Sequence, residues 1–179
     1  HNRTSQEIDY HYLGFDGKCY LMSNQAVPEK AIFSMDEVSS ILYTDQKTLI
    51  YCRGLRFFFA EPIQFTMTYK NGTETLLLPG MFTAYQVPLK DPDDANPVEA
   101  GILMNFSEDV SEISCYFPLH ESSNWNKTSR NITVQRVKAP FIERSDRTII
   151  FYIGDKGRTL ICRSDGNPPP TFQWFTNGS

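Results

Sequence analysis

Four cysteines, three histidines and one acidic run are the side chains whose types could support chemistry beyond packing. Cys19, Cys52, Cys115 and Cys162 stand in no C-x-x-C arrangement, so neither a zinc site nor a thioredoxin-like redox motif is formed, and disulfide bonding is the better reading. His1, His11 and His120 lack H-E-x-x-H spacing, no G-x-S-x-G nucleophile elbow occurs, and no glycine-rich loop resembles a phosphate cradle. The run from Lys90 to Glu99 gathers Asp91, Asp93, Asp94, Asn96 and Glu99. A calcium ion takes about six to eight converging oxygens, and the run has no EF-hand order, so it reads as a solvated loop. The inventory points away from an enzyme: no catalytic residue, metal or cofactor is expected.

A different chemistry recurs instead. Asn2, Asn71, Asn105, Asn126, Asn131 and Asn177 each open an N-x-S/T triplet whose middle residue is not proline, the acceptor pattern for N-linked sugar. Chance supplies one or two such triplets in a chain of this size, so the group favours a secreted or cell-surface glycoprotein. The net charge of −4 argues against a nucleic-acid binder, which needs clustered Lys and Arg. No secretory leader opens the chain and no apolar run approaches the roughly 20 residues of a membrane span, so a processed or excised ectodomain is expected, membrane-linked only through an anchor outside this chain.

The elements that would position these groups are short strands. At 179 residues and 40% hydrophobic, the chain has ample material for a core. Ile63, Phe65, Met67 and Tyr69 alternate with Gln64, Thr66 and Thr68, which predicts a half-buried strand. It runs into Lys70-Asn71-Gly72, and Asn-Gly is a strong hairpin signal because both positions tolerate positive φ, so a return strand is expected from Thr73 to Leu78. Ile102, Met104 and Phe106 alternate inward in the same way, turning Asn105 outward. Cys52 lies within Lys47 to Arg53 and Cys115 within Glu112 to Phe117, both β-rich runs. Their separation of 63 residues suits one cysteine in each of two facing sheets. Residues 1–28 read as an extension laid on the first domain, with Tyr10, Tyr12, Leu13 and Phe15 available to pack. A last strand is expected to end within Val134 to Ile142, with a domain boundary near Lys138.

With these residues in view, the chain from about Ala31 onward resembles the immunoglobulin superfamily. Cys52 is similar to the strand B cysteine and Cys115 to its strand F partner, so the resemblance implies an inter-sheet disulfide between them. Asp109-x-Ser111-x-Ile113-x-Cys115 follows the family spacing D-x-G-x-Y-x-C at its two ends, with Ile113 in the tyrosine-corner position. Phe65, 13 residues after Cys52, stands for the missing strand C tryptophan. Further on, Trp174 follows Cys162 by 12 residues across Gly166-Asn167-Pro168-Pro169-Pro170, which resembles strands B and C of an intermediate-type domain. The implied fold is all-β: residues 29–138 an immunoglobulin-like β-sandwich, divergent and V-like, and residues 139–179 the first part of a second such domain.

The implied function is extracellular protein recognition, in adhesion or receptor–ligand binding, with another cell-surface protein, a copy of itself or a secreted ligand as partner. Two alternatives accompany it: a growth-factor-binding receptor tyrosine kinase ectodomain, similar at Cys52-Arg53-Gly54 and Ala139-Pro140-Phe141-Ile142, and a spacer in a longer immunoglobulin array. The candidate partner-binding residues are Arg56, Phe57, Phe58 and Phe59, in the connection between strands B and C. In such a sandwich this connection shares the free tip with the strand F to G connection, here about Pro118 to Arg130, where sugars at Asn126 and Asn131 would crowd it. Successive side chains on extended backbone point to opposite faces, so the three phenylalanines cannot all enter the core. Either the extra ring is an interface anchor, or the N-terminal segment with Tyr10, Tyr12 and Phe15 covers it.

Overall fold

The structure, a computed structural model, describes residues 11–21, 27–86, 97–142, 150, 152–157, 159 and 161–175. Within them lie a two-stranded hairpin of β1 (His11–Leu13) and β2 (Cys19–Leu21), a single helical turn α1 (Glu29–Ile32), and a sandwich. One sheet of the sandwich contains β3 (Phe33–Met35), β5 (Thr48–Gly54), β9 (Val98–Met104) and β8 (Thr83–Tyr85) in that order, all antiparallel. The other has the order β11 (Trp125–Asn131), β10 (Val110–Pro118), β6 (Gln64–Tyr69) and β7 (Glu74–Leu76), also antiparallel. Finally, β4 (Ile41–Tyr43) pairs in parallel with β12 (Thr133–Gln135), the last strand of the sandwich. The fold is an immunoglobulin-like β-sandwich.

Alternation builds the core. Ile50 and Cys52 of β5 with Val98 and Ile102 of β9 face Ile113, Cys115 and Phe117 of β10, and all are buried. Val110 and Ile113 are both buried although three residues apart, which a regular strand forbids. The register shift between Val110 and Glu112 explains it: Ser111 is an extra residue, and its Oγ donates to the Thr68 carbonyl at 3.1 Å. Cys52 and Cys115 are bonded across the two sheets with their Cα atoms 6.6 Å apart. Phe65 sits directly opposite Cys115 in the ladder and is buried beside it. The β6–β7 turn places Gly72 at φ +86°, the left-handed conformation its sequence predicts.

Two sequence expectations are corrected here. The connection after β10 is only Leu119 to Asn124, because β11 begins at Trp125, paired with Pro118. Trp174 is 63% exposed rather than a core residue; Cys162, for which no partner was expected within this chain, is a free thiol. A tryptophan at that position is covered only when two sheets face each other across it, and the described residues from 150 onward contain no named strand, only the bridges Lys138↔Asn167 and Ile142↔Ser164.

Candidate functional site

Gly54, Gln64, Val98, Pro118 and Trp125 mark one end of the sandwich, the end remote from β12's exit, and this tip is where the sequence-predicted residues converge. The chain turns there through Leu55 to Glu61, with Phe58 and Phe59 N–H groups donating to the Leu55 carbonyl at 3.0 and 3.1 Å. The loop is stitched to the β10–β11 connection. Ala60 N–H donates to the Pro118 carbonyl at 2.8 Å, His120 N–H to the Phe58 carbonyl at 3.2 Å, and His120 Nε2–H to the Arg56 carbonyl at 2.7 Å. Arg56 Nη2 reaches Glu61 Oε1 at 3.1 Å, an exposed pair that fixes the guanidinium more than it stabilises the fold.

The three phenylalanines separate by depth. Phe59 is 0% exposed, packed on Phe33 and Phe117 with ring centroids 5.5 and 5.4 Å away. As a partner-binding residue it is corrected: it is core. Its seat depends on Gly54, where an added Cβ would lie 2.8 Å from the Phe59 ring and 3.0 Å from Phe117. Phe58 is half-buried and packs against the core. Phe57 is 54% exposed.

The N-terminal hairpin supplies the cover. Tyr12 stacks on Phe57, centroids 6.3 Å apart and planes 7° from parallel, and meets Phe58 edge-on at 5.1 Å. Phe15 lies under the Arg53 guanidinium at 4.9 Å, and its N–H donates to the Ala31 carbonyl at 2.9 Å. Tyr20 donates to Asp16 at 2.5 Å; that bond pushes the Tyr20 phenol up to about 12 and holds the Asp16 carboxyl below its ordinary value. Tyr10, the remaining aromatic of the segment, lies outside the described residues. The hairpin thus covers part of the cluster, as one of the two sequence readings expected, and Phe57 stays 54% exposed beside it.

A second surface escaped the sequence analysis. On the outer face of the second sheet, Glu74 Oε1 accepts from Thr66 Oγ1 at 2.6 Å and Tyr116 Oη at 2.8 Å, and lies 3.3 Å from Lys127 Nζ. The Thr66 bond first, then the Tyr116 bond, hold the Glu74 carboxyl below its ordinary value. Burial first, then Glu74, push the Tyr116 phenol up. Ser114 and Ser129 share a 2.9 Å hydrogen bond on the same face, and Trp125 stands half-open at its tip end. The alternation Trp125, Lys127, Ser129 was the available signal.

Of the sequons, Asn71, Asn105 and Asn131 are exposed, and strand directions place all three at the end opposite the tip. Asn71 caps its own turn by accepting the Thr73 N–H at 2.9 Å. Asn131 thus does not crowd the tip; it lies about 17 Å along β11 from Asn126. Asn126 is half-buried inside β11 opposite Phe117 rather than in a loop. Asn2, Asn177 and residues 90–96 of the acidic run lie outside the described residues. Glu99, at the end of that run, accepts the Tyr51 hydroxyl. Among the described residues no group of three or more metal-ligating side chains converges, and no helix is long and apolar enough to cross a membrane.

No family model matches the chain. It is similar to neuronal cell adhesion molecule of Gallus gallus, 38% identical over 66 residues, covering 32% of this chain and 5% of that protein. It is also similar to neurofascin of Gallus gallus, 34% identical over 71 residues, covering 40% of this chain and 5% of that protein. The matched stretch is thus a small part of either relative. The chain is thus similar to these cell adhesion proteins over part of its length, and its sandwich topology and the disulfide joining its sheets are those of an immunoglobulin-like fold.

Proposed function

We propose that this chain is an extracellular recognition module of a cell-surface protein that works in adhesion, and that it contacts a protein partner through the tip, with Phe57 as anchor and Arg56 beside it. The observation that carries this reading is the state of Phe57: more than half open to solvent, yet held by Tyr12 on one side and by Phe58, edge-on at 5.0 Å, on another. An exposed aromatic already fixed in place loses little freedom on binding, and aromatic and arginine side chains dominate interface energetics. The three exposed sequons stand away from this end, so sugars there would leave the tip accessible. The similarity to a protein named as a neuronal cell adhesion molecule supports the adhesive role.

The test uses beads coated with the whole chain, scored for clustering with one another and for attachment to cells. Phe57→Ala should weaken the interaction by about 30-fold, corresponding to the ~2 kcal/mol of a hot-spot residue, with Tm lowered by no more than about 4–8 °C. Undiminished clustering and attachment by a well-folded Phe57→Ala protein would remove the tip from consideration and favour a spacer role.

A further inference from the structure

The sandwich meets Lys138 and the Asp165–Asn167 loop through a very short span. Gln135 is the last residue of β12, locked in register with Tyr43, and its carbonyl accepts the Thr44 N–H at 3.0 Å. At Lys138 the backbone is already committed again: its N–H donates to the Asn167 carbonyl at 2.8 Å, and the Asn167 N–H donates back at 2.9 Å. Only Arg136 and Val137 lie between the two anchored positions.

Arg136 is held from both sides. Its guanidinium binds Glu108 Oε2 of the sandwich at 2.9 Å, and its carbonyl accepts from Asn167 Nδ2 at 3.0 Å. Asn167 Nδ2 also donates to Gln135 Oε1 at 3.1 Å. A side-chain amide has two N–H groups, and here each has an acceptor on the sandwich side of the junction. Lys138 and Asp165 add an ion pair. Gly166 abuts Pro140 so closely that an added Cβ would lie 2.9 Å from the proline Cα, so a larger residue would pry the loop away.

We infer that this junction is a rigid elbow, and that the Asn167 side chain is the clasp fixing the angle between the sandwich and the described residues of the 138–167 stretch. Relative motion is the default across a small polar junction, and what opposes it here is one side chain that ties together both ends of a two-residue span already anchored in backbone hydrogen bonds. Aspartate would present an oxygen to the Gln135 and Arg136 oxygens where the amide presents hydrogens, so Asn167→Asp should release the clasp with almost no change of shape. The elbow would hold the tip at a set direction relative to the described residues of that stretch, independently of whether the tip is the binding surface.

The test is double electron–electron resonance on the full chain, with nitroxides at Lys70→Cys and Lys156→Cys, both exposed positions, in a Cys19→Ser, Cys162→Ser background. The expected result is one narrow distance distribution, broadened at least about twofold by Asn167→Asp. If that variant loses folded structure by circular dichroism, Gln135→Ala decides in its place, since it removes one acceptor without altering residues 138–167. A broad distribution in the parent, or an unchanged width in the deciding variant, overturns the proposal.

Discussion

Truncating each of two neighbouring phenylalanines should give very different results, and the difference can be worked from their surroundings. Phe59 is fully enclosed between Phe33, Phe117 and Gly54, so Phe59→Ala removes a whole ring and leaves a cavity that these groups cannot readily fill. Such truncations cost about 3–5 kcal/mol. For a domain near 100 residues, each kcal/mol lowers Tm by about 4–8 °C, so a loss of roughly 12 °C or more is expected. Phe57 is 54% exposed, and what it buries lies against Tyr12 and Phe58. Burying a large apolar side chain completely is worth roughly 1.5–3 kcal/mol, so Phe57→Ala should cost only about 1 kcal/mol, including its ring contacts. Urea denaturation followed by near-ultraviolet circular dichroism measures both. Equal losses would refute the assignment of Phe59 to the core and Phe57 to the surface, and with it the depth ordering on which the tip reading depends.

Reducing the Cys52–Cys115 bond, or replacing both residues by alanine, should destabilise the sandwich by about 4 kcal/mol on chain-entropy grounds, read as a lower urea midpoint; no change would mean the bond is absent in the folded protein. Glu74 binds its proton less readily when folded, so its contribution to stability is present above the unfolded carboxylate pKa and is lost as pH falls through the lower folded value. Glu74→Gln should therefore flatten the loss of stability on the acid side of about pH 4.3, and an unaltered acid limb would contradict the hydrogen-bond geometry around it. Glycosidase treatment of protein from a eukaryotic host should lower its mass, with the shift reduced by Asn71→Gln, Asn105→Gln and Asn131→Gln more than by Asn126→Gln, whose side chain is half-buried in β11. An equal or larger effect of Asn126→Gln would show that burial in the folded state does not govern occupancy.

Local patterns carried the parts of this protein that neighbours in the chain decide. The alternation of Phe65 and Met67, the Asn71-Gly72 turn and the inward series Ile102, Met104, Phe106 were legible because strand pleat and turn chemistry act within a few residues. The separation of Cys52 and Cys115 pointed to facing sheets for the same reason, since each cysteine sits in its own recognisable strand. Other features depend on partners far away in the chain. The extra residue at Ser111 exists because β10 must present both Val110 and Ile113 to the opposite sheet, and only the ladder with β6 reveals it. Three consecutive phenylalanines are chemically alike, so their sorting into core, half-buried packing and surface was set by Phe117, Gly54 and the N-terminal hairpin, brought together by folding. Glu74 and Tyr116 are 42 residues apart and meet only because β6 lies between β7 and β10, which no local periodicity encodes. Asn126 turned inward, although it begins an ordinary acceptor triplet, because β11 starts one residue before it and the pairing with β10 sets the face of every later residue in the strand.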